Sequence, residues 1–112
     1  MAVRLTKPWI PLSAENVKQL AGLLGVYQLA NAAGEIVYIG VAGGRSLFGL
    51  KGELEKKLKD PPAGATQYRT EANMAYHTRH LELLGAYRND FGRLPVANTD
   101  VDERMLGRLN PG

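Results

Sequence analysis

The sequence predicts a small α+β domain: a three-stranded, mainly antiparallel sheet, made of a hairpin plus a third strand and flanked by helices. Three observations carry that expectation. Two runs rich in β-branched and aromatic residues, Gly25-Val26-Tyr27-Gln28-Leu29-Ala30 and Glu35-Ile36-Val37-Tyr38-Ile39-Gly40, are separated only by the turn signal Asn31-Ala32-Ala33-Gly34. Leu47, Leu50, Leu54 and Leu58 recur at intervals of three and four, and a second stripe runs through Leu81, Leu84 and Ala86 or Tyr87. A chain of 112 residues, 45% hydrophobic and 22% charged, suits one globular core and leaves little room for two.

Taken in order, residues 1–12 contain Pro8, Trp9 and Pro11 and read as an extended lead-in, with Trp9 as an anchor onto the domain. Ser13 is a good N-cap and Glu15 suits a first helical turn, so a helix is expected through Val17, Leu20, Ala21 and Leu24, closed by Gly25. The hairpin follows, then Gly43-Gly44 breaks its second strand. The leucine stripe predicts a helix over about 47–59, stopped by Asp60-Pro61-Pro62-Ala63-Gly64. Residues 67–74 are compatible with a third strand, and 77–89 with a longer helix closed by Asp90-Phe91-Gly92. A short terminal helix is expected over 101–109. The expected organisation is a lead-in over 1–12, one domain over 13–98 and an extension over 99–112.

Composition excludes several chemistries. With no cysteine there can be no disulfide, thiolate zinc site, iron–sulfur cluster or cysteine nucleophile. No run approaches the roughly 20 apolar residues of a membrane span, and Met1 to Leu12 lacks the apolar stretch of a signal peptide, so a cytoplasmic (intracellular) protein with no membrane partner is expected. Fourteen Lys+Arg against eleven Asp+Glu give a formal charge of +3, which favours a polyanionic partner if the excess gathers on one face.

With Ala32 and Ala33 at the centre of the turn, Tyr27 is expected opposite Tyr38, Leu29 opposite Ile36 and Gly25 opposite Gly40. The tyrosines would then share a face on which the two glycines leave backbone and phenolic hydroxyls open to a ligand. A cross-strand aromatic pair that merely stabilises the sheet is the competing explanation.

Gly25-Val26-Tyr27 followed by Tyr38-Ile39-Gly40 resembles the paired motif of the GIY-YIG nuclease superfamily, with Val in place of Ile in the first triplet. The resemblance extends over about 24–98, through Glu82 on the late helix to Asn98 beyond Leu94-Pro95. It implies phosphodiester hydrolysis in DNA, RNA not being excluded, with one divalent cation, Mg²⁺ or Mn²⁺, held by Glu82. In that scheme Tyr27 orients or deprotonates the attacking water and Tyr38 binds water or phosphate, although a tyrosine with its ordinary pKa near 10 needs nearby positive charge to serve as a base. The arginine usual on the helix after the second triplet is missing here. Lys51 is the better positional substitute and Arg45 can approach from the loop, but a lysine cannot grip two phosphate oxygens as an arginine does.

Gly25, Gly40, His77, Arg79 and Asn98 are expected to support that site, and Arg45, Lys51, Lys56 and Arg79 to contact nucleic acid. Arg79 and Glu82, three apart, also suit an ordinary helix ion pair. Asn98 suits a turn after Pro95. Glu53, Glu55, Lys56, Lys57 and Lys59 read as solvated, the lysines adding a basic stripe with salt-dependent affinity. His80 is assigned no role. The alternatives are a catalytically inactive nucleic-acid-binding module of the same fold, or a small protein-interaction domain with Trp9 and Phe48 as exposed anchors. Nothing resembles a separate DNA-recognition domain, so a homodimer, a recognition partner or low specificity is implied.

Overall fold

A computed structural model describes residues 4–99; the expected helix over 101–109 lies outside them. The chain forms β1 (Ile10–Pro11), α1 (Ala14–Lys18), β2 (Gly25–Ala30), β3 (Ile36–Ala42), α2 (Gly49–Lys59), β4 (Gln67–Ala72) and α3 (Tyr76–Phe91), with a one-turn 3₁₀ helix at Pro62–Gly64. The sheet is antiparallel and four-stranded, in the order β1-β4-β2-β3. The fourth strand is β1, a two-residue bridge from the lead-in to β4, where proline at the edge is tolerated because no inner ladder bond is lost.

Alternation along β2 sorts the core. Tyr27 and Leu29 face α1 and α2, packing with Val17, Leu50, Leu54 and Tyr68. Val26 faces the other way, packing with Ile39 and with Leu83, Leu84 and Tyr87 of α3. Two helices therefore cover one face of the sheet and the third covers the other.

Several boundaries differ from expectation. Ser13 does cap α1, accepting a bond from the Asn16 amide at 3.2 Å, but the helix stops at Lys18 and residues 20–24 cross to the sheet as loop. The helix begins at Gly49, not Leu47, because Phe48 takes a left-handed conformation (φ 62°) and turns the chain. Leu47 consequently leaves the leucine stripe and is exposed.

The hairpin register also differs. Tyr27 pairs with Gly40, Leu29 with Tyr38 and Gly25 with Ala42, with a bulge between Leu29 and Ala30. The turn is longer than a two-residue one: the Asn31 amide bonds the Glu35 carbonyl at 3.0 Å, while the Asn31 side-chain oxygen accepts from the amides of Ala33 and Glu35. That asparagine closure and the bulge slide the strands two residues from the pairing centred on Ala32 and Ala33.

A site between the hairpin and helix α2

The two tyrosines still meet, diagonally rather than directly across, with ring centroids 5.9 Å apart. The glycines explain how. A Cβ on Gly40 would stand 2.2 Å from Cζ of Tyr27, so the hydroxyl end of the ring occupies the space a side chain would need. A Cβ on Gly25 would stand 2.1 Å from the Glu71 carbonyl oxygen, so this glycine lets β4 approach. Neither glycine opens the sheet to a ligand, and the Tyr27 side chain has no access to solvent.

What α2 presents to this pair is a carboxylate. Glu53 Oε1 accepts a long hydrogen bond from the Tyr27 hydroxyl at 3.4 Å, its Oε2 accepts from Ser46 Oγ at 3.2 Å, and Lys56 Nζ lies 3.7 Å away. Glu53 is thus turned inward, contrary to the solvated position expected. Burial raises the Tyr27 pKa far above the ordinary tyrosine value, and the neighbouring Tyr38 and Glu53 charges raise it further. The hydroxyl stays protonated, and the positive neighbour that a tyrosine base would need is replaced by an acid. Lys57, also expected to be solvated, places its ammonium 4.5 Å from the centre of the Tyr38 ring.

The predicted residues on α3 lie elsewhere. Glu82 is on α3, across the sheet from the tyrosines, 44% exposed, with Arg79 Nη1 at 3.6 Å. Arg79 is the better held of that pair: it is only 11% exposed and grips Glu71 on β4 with bonds of 2.8 and 3.1 Å. Those bonds pull the Glu71 pKa below its ordinary value despite partial burial. Arg79, expected to contact nucleic acid, is instead committed to carboxylates. His77 is exposed in the first turn of α3.

Asn98 takes the turn position and lies against the edge of β3. Its backbone amide closes the turn onto Pro95, and its side-chain amide donates to the Ile39 carbonyl and accepts from the Ile39 N–H, both at 2.9 Å. It acts as a surrogate strand along the edge of β3, protecting that edge, and the Nε2 of His80 joins the same carbonyl at 3.1 Å. Arg45 is exposed in the loop that Ser46 ties to Glu53; Tyr76 secures the same loop, its hydroxyl accepting the Gly44 N–H at 3.1 Å. Lys51 is half-buried in the first turn of α2.

Among the described residues no group of three His, Asp or Glu side chains gathers, and Glu82 has a guanidinium rather than a second carboxylate beside it. Among the described residues no helix is long and apolar enough to cross a membrane.

The fold defines a class: a small α+β domain with helices on both faces of an antiparallel sheet and a buried tyrosine–carboxylate cluster under α2. Within that class the chain belongs to the family described as Domain of unknown function (DUF7508), whose model matches residues 3–90. No curated protein and no solved structure matches it.

Proposed function

We propose that this domain is a non-hydrolytic nucleic-acid-binding module related in fold to the GIY-YIG nucleases, acting in the cytoplasm on the backbone of DNA or RNA. The observation that carries the reading is the division of charge on α2. Glu53 turns inward to the tyrosines, while Lys51, Lys56, Lys57 and Lys59 remain on or near the surface against one exposed carboxylate of the helix, Glu55, with Arg45 in the adjoining loop. On the opposite face Arg79 pairs with Glu71 and Glu82, and Arg4 with Asp90. Surface lysines give affinity for phosphates without reading sequence.

Hydrolysis is a poor fit for the same geometry. A buried, neutral tyrosine next to a carboxylate cannot accept a proton from water at neutral pH, and an anion there repels a phosphate. The test is incubation of labelled single- and double-stranded DNA with Mg²⁺ or Mn²⁺ and the full chain, with Glu82→Ala in parallel. Intact substrate in both, together with retention of the DNA by the protein, is the expected result. Metal-dependent cleavage that disappears in Glu82→Ala would overturn the reading and restore the hydrolytic one.

A further inference from the structure

On the face of the sheet away from the tyrosines lies a cavity of about 420 Å³. It opens between the C-terminal half of α3 and residues 4–6 of the lead-in, with Gln28 of β2 and Arg69 of β4 among its lining. Its walls are apolar, formed by Leu5, Ile36, Leu83, Ala86, Tyr87 and Phe91. Tyr87 and Phe91 stack with ring centroids 4.5 Å apart. The volume is in the lower range of small-molecule sites.

The floor of the cavity is polar and donor-rich. Gln28 is 3% exposed, and its Oε1 accepts from Arg69 Nε at 2.7 Å. Arg69 Nη1 donates to the Lys7 carbonyl at 3.1 Å, and its guanidinium carbon lies 4.0 Å from the centre of the Trp9 ring. Among the described residues, neither Gln28 Nε2 nor Arg69 Nη2 has a hydrogen-bond acceptor, and no carboxylate pairs with Arg69. Partial burial accordingly lowers the Arg69 pKa, with no opposing acid. The Gln28 amide and the Arg69 guanidinium each keep an N–H that no described protein group takes and that solvent can reach, so both are available to an acceptor with negative charge in the cavity. At the rim, Asp90 is neutralised by Arg4 through Nε at 2.8 Å, so it does not repel an entering anion.

We infer that this cavity binds a small organic carboxylate with an aromatic or branched apolar body, its carboxylate on Gln28 Nε2 and Arg69 Nη2 and its body between Leu83 and Tyr87. The site is separate from the α2 face and does not depend on nucleic-acid binding.

The test uses the full chain, labelled with ¹⁵N, and 3-phenylpropionate as the probe. Saturable shifts are expected in the Gln28 side-chain amide and in the backbone amides of Leu83 and Tyr87. The uncharged 3-phenylpropionamide should bind at least about tenfold more weakly, since charge-assisted bonds are roughly twice as strong as neutral ones. Ala86→Phe, which fills the cavity, should abolish the shifts while keeping a folded spectrum. If that variant does not fold, the acid-to-amide ratio in the wild-type chain decides alone. Absence of saturable shifts up to roughly 10 mM probe, equal binding of acid and amide, or shifts confined to the α2 lysines would overturn the inference.

Discussion

Gly40→Ala is the sharpest probe of how the tyrosine pair is built. In a strand, replacing glycine by alanine ordinarily stabilises by roughly 0.5–1 kcal/mol, because glycine loses more backbone freedom on folding. Here the new methyl would stand 2.2 Å from Cζ, 2.4 Å from the hydroxyl oxygen and 2.6 Å from Cε1 of Tyr27. The ring is fully buried among Leu50, Leu54 and Tyr68, so it has no free direction in which to move. Overpacking of this kind costs about 1–3 kcal/mol, reversing the sign, and lowers the melting temperature by roughly 4–15 °C for a chain of this size. A double-mutant cycle with Tyr27→Leu isolates the clash, because the shorter side chain no longer reaches over the glycine. In that background Gly40→Ala should be neutral or stabilising by about 0.5 kcal/mol. Thermal and urea unfolding of the four proteins measure the coupling. If Gly40→Ala stabilises the wild-type chain, or costs the same in both backgrounds, the packing of Tyr27 on Gly40 is not what requires glycine there.

Asn98→Ala removes two hydrogen bonds and leaves the Ile39 N–H and carbonyl less well satisfied at the edge of the sheet; a loss of about 2–3 kcal/mol and faster exchange of the Ile39 amide are expected by hydrogen-exchange NMR. Because Tyr27 has its folded pKa raised above its unfolded value near 10, its stabilisation is complete below about pH 10 and is lost as pH rises beyond that point. Alkaline titration followed by phenolate absorbance should therefore show a tyrosine that ionises only on unfolding, and Tyr27→Phe should flatten the alkaline fall in stability. Glu71 has the opposite sign: its folded pKa is depressed by Arg79, so its contribution is present above the unfolded pKa and lost as pH falls through the folded one. Arg79→Met should cost about 1–3 kcal/mol near neutrality and shrink the acid-side dependence, measured as stability against pH.

The elements whose signals are local were legible in the sequence. The hairpin, the α2 and α3 segments and the Ser13 cap rest on periodicity and side-chain chemistry within a few residues. The register was not legible, because it depends on the Asn31–Glu35 closure of the turn and a bulge whose geometry only the paired strands define. Nor was β1, since two residues containing a proline carry no strand pattern and form only because β4 is there to pair with them. Glu53 was misread for a reason that spacing could have corrected. It lies three residues after Leu50 and next to Leu54, and Lys57 follows four residues later, so both flank the buried stripe rather than the solvent face. The separation of Glu82 from the tyrosines depends on which side of the sheet α3 takes, and no local pattern carries that information.

As proposed, α2 offers a basic surface to a polyanion while Glu53 turns inward to the tyrosine pair. The most direct measurement is the salt dependence of binding to a labelled DNA duplex, comparing the wild-type chain with Lys51→Glu/Lys56→Glu. Three to four phosphate contacts by the α2 lysines and Arg45 predict a slope of log K against log salt of about −3 to −4, falling by roughly 2 in the double variant. A slope near zero, or an unchanged slope in the variant, would contradict the claim.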